Sequence, residues 1–121
     1  NVTITGQLDS VLPYLCNADV AVVPLKFESG TRFKILEAAA CRVPIVSTVL
    51  GAEGIPVENE KDILLADTAE EFASAIVRLI EDPSFARSIS TNCRHLVSQH
   101  YGLDKHAREA LEIINSLNIR D

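Results

Sequence analysis

The strongest constraint on this chain is a junction. An apolar run at residues 20–25, opened by Asp19 (DVAVVPL), passes through Lys26 into FESGTRFKILEAAAC, residues 27–41. A short, nearly continuous apolar run of this kind fits a strand buried on both faces, as in a parallel sheet. Pro24 is acceptable only at its end, because it cannot donate to a ladder. The Ser-Gly-Thr turn then opens a helix over residues 31–41. Its Ala38-Ala39-Ala40 run carries no bulk and can pack close to a sheet. A strand feeding a helix in this way builds parallel sheets with right-handed crossovers.

The rest of the chain continues the alternation. Residues 2–5 (VTIT) read as a strand ended by Gly6, and residues 44–48 and 62–66 as two more. Leu8, Val11, Leu12, Leu15 and Cys16 form a helical stripe, with Asp9 or Ser10 as N-cap and Pro13 in the first turn. Thr68 and Glu71 form a capping box for a helix over residues 69–81, whose expected buried stripe is Phe72, Ala73, Ile76, Leu79 and Ile80. Asp82-Pro83 starts the next helix, with the stripe Phe85, Ile89, Cys93, Leu96 and Val97. Asp104 caps a last helix bearing Ala107, Ala110, Leu111, Ile114 and Leu117 on one face. The expected fold class is α/β, a Rossmann-like three-layer α/β/α arrangement with a parallel sheet of about four strands and C-terminal helices.

At 121 residues this is one domain, large enough for a real core. Net charge is -6 and there is no Lys/Arg-rich run, which argues against a nucleic-acid partner. The three cysteines, Cys16, Cys41 and Cys93, sit in apolar helical patterns without a CxxC, and read as buried hydrophobes in a reducing, cytoplasmic compartment. No run is long enough for a transmembrane helix and no signal peptide is visible. An abrupt start in a strand-like run, with no initiator Met, suggests a piece of a longer protein.

Chemistry concentrates at the junction. The first N–H groups of a helix have no intrahelical partner and carry the positive end of its dipole, so the turn before residue 31 can hold an anion. Lys34 and Glu37 are three apart and share a face near that end. A cation and an acceptor one turn inside such a site suit a nucleotide, with phosphates at the turn and ribose hydroxyls on the carboxylate; a capped helix with a solvated charge pair explains the same residues. In parallel sheets ligands bind at the carboxyl ends of strands. The Gly-containing loops at residues 6–10, 26–31 and 49–54 all fall there. GAEGI, residues 51–55, either presents N–H groups to a ligand or is a plain turn. There is no Walker loop and no GxGxxG, and His95, His100 and His106 lack metal-ligand spacing.

The string SGTRFKILEAAACRVPIVSTVLGAEGI resembles the C-terminal domain of family 4 glycosyltransferases of the GT-B fold, above all the subgroup reading GSGTRxKxLEAMAxGxPVVSTxxGAEG. VTITGQLDSVLPYLCNADVAVVPL and DILLADTAEEFASAIVRLIEDP extend the likeness on both sides, to Tyr101. The resemblance implies part of a GT-B C-terminal domain, the donor-binding half of an enzyme that moves a hexose-type sugar from a nucleotide-diphosphate sugar to an acceptor with retention. It implies no cofactor and no catalytic metal.

The family's ribose-binding glutamate maps onto Glu37. Its other glutamate, near the transferred sugar, maps by strict spacing onto Ser29, with Glu28 one residue early; these two are the catalytic candidates. The backbone of Gly30 and Thr31 would meet the diphosphate or sugar, Lys34 would neighbour the phosphates, and Leu8 and Asp9 would contact the nucleobase. Arg42 and Ala39 replace the subgroup's Gly and Met as packing differences. The family's phosphate-binding Arg and Lys, and the N-terminal acceptor domain, lie outside this chain, so transfer by it alone is not expected. Implied partners are the nucleotide sugar and that acceptor domain, against which the helix over residues 103–117 would pack. Peripheral membrane association of the full protein, and dimerisation through exposed apolar surface, stay open. So do two other readings, a protein-docking module of the same architecture and a GT-B sugar-nucleotide epimerase.

Overall fold

The structure is a computed structural model. It describes residues 1–27, 33–101 and 105–117, with the backbone alone at 105–108 and 111. In chain order the elements are α1 (Leu12–Cys16), β1 (Ala21–Val23), α2 (Phe33–Ala40), β2 (Ile45–Ser47), β3 (Leu64–Leu65), α3 (Ala69–Glu81), α4 (Pro83–Tyr101) and α5 (Lys105–Leu117). The strands form a parallel sheet in the order β1-β2-β3, with Ala21 opposite Ile45 and Val46 opposite Leu64.

Alternation along the strands builds the layers. Successive strand residues face opposite sides of a sheet. On β2, Ile45 joins the cluster of Ile35, Ala38, Ala39, Cys93, Ala110 and Ile114, while Val46 joins Leu64, Leu79 and Ile89. One layer is therefore α2 with α1 and α5 packed on it, and the other is α3. Long α4 adds Ile89 to one cluster and Cys93 and Val97 to the other. Ile35, Ala38 and Ala39 have no exposed surface, so α2 lies as close to the sheet as its alanines suggested.

The sheet has three described strands rather than about four. Residues 2–5 are not a strand, and Val2 and Ile4 are 91% and 90% exposed. β-Branched residues fit a strand only where a neighbour supplies a ladder and a surface to pack on, and residues 2–5 pair with no described strand. The stripe on α3 also shifts. Phe72, Ala75, Ile76 and Leu79 pack inward, at i, i+3, i+4 and i+7, whereas Ala73 and Ile80 face out. An ideal helix face cannot include both flanks once it lies flat on a sheet.

Helix caps follow the sequence reading. Thr68 and Glu71 exchange both hydrogen bonds of the capping box, and Asp82 Oδ1 accepts from Phe85 N at 3.0 Å. At α1 the outcome differs: Val11, not Asp9 or Ser10, occupies the N-cap and makes no side-chain cap bond, while Ser10 Oγ, one residue earlier, accepts from Leu12 N at 3.2 Å. The β2–β3 connection is held by side chains instead of a helix. Buried Asp62 accepts from Glu58 N, Asn59 Oδ1 accepts from Leu65 N, and Arg78 pairs with Glu60 at 2.7 Å while stacking over Phe85. All three cysteines are buried and unbridged, with Cys16 Sγ 3.4 Å from Cys41 Sγ.

Two outcomes follow from this packing. Ala38→Leu would force bulk between α2 and the sheet and cost about 1–3 kcal/mol, read from the denaturant midpoint; an unchanged midpoint would show that the contact is loose. The Cys93 thiol is pushed up from 9.0 to about 12, first by burial and then by the negative charge of Asp62. The folded state thus resists ionisation that the unfolded chain undergoes freely. Stability should be full below pH 9.0 and fall as pH rises toward about 12, with Cys93→Ala flattening that alkaline loss in a pH series of melts.

Candidate ligand site at the carboxyl edge of the sheet

Because the sheet is parallel, Val23, Ser47 and Leu65 end their strands at one edge. Thr48 ties the segments after β1 and β2 together at this edge. Its N–H donates to Val23 O at 3.2 Å and its hydroxyl donates to Leu25 O at 2.7 Å. The same hydroxyl oxygen accepts from Gly51 N at 2.9 Å. Next to it, Val49 N donates to Asp67 Oδ1 at 3.0 Å, which brings in the segment after β3. Gly51 fits here because it lacks a side chain: a Cβ would lie 2.6 Å from Ser47 Oγ and 3.1 Å from Val23 Cγ1.

The GAEGI loop uses its own N–H groups. Gly51, Ala52, Glu53 and Ile55 donate to Thr48 Oγ1, Thr48 O, Leu50 O and Ala52 O. Of the two readings left by the sequence, the structured turn is the one observed. Gly54 takes φ 88, the left-handed region that favours glycine, and its carbonyl accepts a long 3.4 Å hydrogen bond from Tyr101 Oη at the end of α4.

Helix α2 rises from the same edge, on the segment that follows β1. Its inward face is Ile35, Ala38 and Ala39, which leaves Lys34 exposed and Glu37 half-buried on its flank. An ionised carboxylate is an acceptor with several lone-pair sites, so a half-buried one can take two neighbouring hydroxyls. Phe27 and Phe33, the described residues on either side of residues 28–32, are 83% and 40% exposed. Glu28, Ser29, Gly30 and Thr31 lie outside the described residues. Leu8 is half-buried and Asp9 exposed, in the irregular segment leading into α1. That helix packs on α2, and the Cys16–Cys41 contact joins the ends of the two.

Sequence reasoning did not single out Thr48, Asp67 or Tyr101. Their partners are 18 to 47 positions away, beyond any local pattern. The one available signal was the Thr-x-x-Gly spacing of Thr48 and Gly51. Among the described residues no group of three or more His, Cys, Asp or Glu is placed to hold a metal ion, and no helix is long and apolar enough to cross a membrane.

The Thr48 hydroxyl gives a direct test of the edge. Thr48→Val keeps the shape but strands Leu25 O and Gly51 N, and should cost about 1–3 kcal/mol in denaturant unfolding. A midpoint equal to the parent's would show that the hydroxyl does not hold the segments together.

The family model described as Glycosyl transferases group 1 matches residues 1–82, a span that contains the whole carboxyl edge and α2. No curated protein matches the sequence. Among solved structures, the chain is similar to the C-terminal domain of the glycosyl transferase group 1 family protein LpcC from Francisella tularensis. The TM-score is 0.74 at 19% identity, over 85% of this chain and 53% of that one. It is also similar to sucrose-phosphate synthase from Thermosynechococcus elongatus, with a TM-score of 0.74 at 29% identity, over 96% of this chain and 30% of that one. The chain thus spans about half of the first structure and under a third of the second.

Proposed function

Because this chain belongs to the group 1 glycosyl transferases, we propose that it forms the donor-binding part of an enzyme that transfers a hexose-type sugar from a nucleotide-diphosphate sugar, with retention of configuration. The observation that carries this reading is Glu37. It sits half-buried on α2, the helix that follows β1, in the segment that the family model matches.

The chemistry divides over the edge as follows. Glu37 accepts hydrogen bonds from the ribose hydroxyls, and a charge-assisted pair of this kind fixes the nucleoside firmly. The backbone of Gly30 and Thr31 meets the diphosphate or sugar, and Lys34 lies near the phosphates. Leu8 and Asp9 flank the base, with Leu8 offering apolar contact and Asp9 a hydrogen-bond acceptor. Glu28 or Ser29 faces the transferred sugar. Departure of a nucleoside diphosphate builds negative charge on the leaving oxygens, and stabilising it requires cations aimed at that position. Lys34 alone supplies little of this. The missing cations belong to the parent protein's preceding segment, and the acceptor to a further domain, which α5 would touch. The chain alone is therefore inactive and binds donor weakly.

The reading is checked in the full-length protein. Glu37→Ala should lower kcat/KM on the order of a hundredfold or more while the protein stays folded, as a cooperative melt would show. Full activity in that variant would remove the ribose role. For the chain alone, titration with UDP- and GDP-sugars should show weak or no heat, and low-micromolar binding would overturn its dependence on the missing cations.

A further inference from the structure

The opposite, amino edge of the sheet holds a cavity of about 520 Å³. It is lined by Asp19 before β1, by Arg42 and Pro44 before β2, and by Arg87, Ser90 and Thr91 of α4. Arg42 stands out twice. Its φ is 58, a left-handed conformation that costs a residue with a Cβ roughly 1–2 kcal/mol and that the sequence subgroup fills with glycine. Its Nε is buried with no hydrogen-bond partner among the described residues. The backbone conformation is that of a helix C-cap, with Arg42 N donating to Ala39 O and Val43 N to Ala38 O, both at 3.0 Å, which offsets part of its cost; the stranded guanidinium N–H has no described partner to offset it.

The surroundings are cationic. Arg87 lines the same cavity. Arg94, two turns further along α4, is held below the ordinary arginine range by burial and then by the positive charge of Arg42, against an opposing pull from Cys41. None of these three arginines has a described ion pair; the described ion pairs are Lys61–Glu58 and Arg78–Glu60. Among the described residues Asp19 is the only carboxylate lining the cavity, against Arg42 and Arg87, so the described lining carries a positive charge in a chain of net charge -6. A cluster of unpaired arginines recognises phosphate through bidentate, charge-assisted bonds.

We infer that the amino-edge cavity is a second anion site, which takes a phosphate-bearing ligand on Arg42 and Arg87, separate from the carboxyl-edge donor site. Thr91 offers a hydroxyl donor, whereas the Ser90 hydroxyl donates to Arg87 O at 3.1 Å and so has no proton to spare for the anion. The volume exceeds that of a lone phosphate and admits a diphosphate or a phosphorylated small molecule. A phosphorylated lipid headgroup presents the same chemistry.

The test is an NMR titration of this chain with inorganic pyrophosphate, alongside sedimentation with phosphatidylglycerol or phosphatidylcholine vesicles. Pyrophosphate should shift amides at Asp19, Arg42 and residues 87–91. Arg42→Gly restores a residue suited to φ 58, so it folds at least as well as the parent and should weaken binding on the order of tenfold. Arg87→Gln should act in the same direction. Response to pyrophosphate identifies a soluble ligand. Binding to phosphatidylglycerol vesicles alone, lost in both variants, identifies a lipid headgroup. Shifts confined to residues 33–37, or binding unchanged in both variants, would overturn the inference, and so would no response in either arm. Glu37→Ala serves as the control: it addresses the donor site and leaves the amino-edge shifts in place.

Discussion

The structure depends on how closely α2 approaches the sheet. Three consecutive alanines and Ile35 let its backbone settle against β1 and β2 with essentially no exposed surface between them. Everything else in that layer is built on this seat: α1 and α5 lie against α2, and α4 reaches it through Cys93 and Val97. Interiors packed to this density transmit small changes in volume, so the helix cannot drift relative to the strands. That rigidity positions Glu37, which rides on the outward flank of the same helix, at a fixed distance from the strand ends.

The two edges of the sheet are chemically different. The carboxyl edge is a web of short hydrogen bonds around Thr48. The amino edge is open, lined by arginines, and keeps a buried guanidinium nitrogen without a partner. One edge satisfies its polar groups internally, while the other leaves them available.

Much of this was legible in the sequence, for physical reasons that also mark the limit. The run at residues 19–25, the capping box at Thr68 and Glu71, and the Asp82-Pro83 start all depend on neighbours within a few positions, and the structure carries each of them. Residues 2–5 have the composition of a strand but pair with no described strand, and composition cannot report a partner. On α3 the periodicity was right and the face was rotated, because a flat sheet selects Ala75 over Ala73. At the candidate site, Lys34 and Glu37 were visible from their spacing on one helix. The Thr48 contacts were not, since they join segments that only the fold brings together. Arg42 was read as a packing difference from a glycine; its φ of 58 shows that the difference lies in the backbone.

The Thr48 hydroxyl is at once donor and acceptor, and each of its bonds reaches a different part of the edge. A rotation that frees Leu25 O also disturbs the acceptor geometry for Gly51 N. The segments after β1 and β2 are thereby coupled in time as well as in space: local opening becomes one cooperative event rather than two independent fluctuations. One side-chain torsion, that of Thr48, therefore bears on both segments at once.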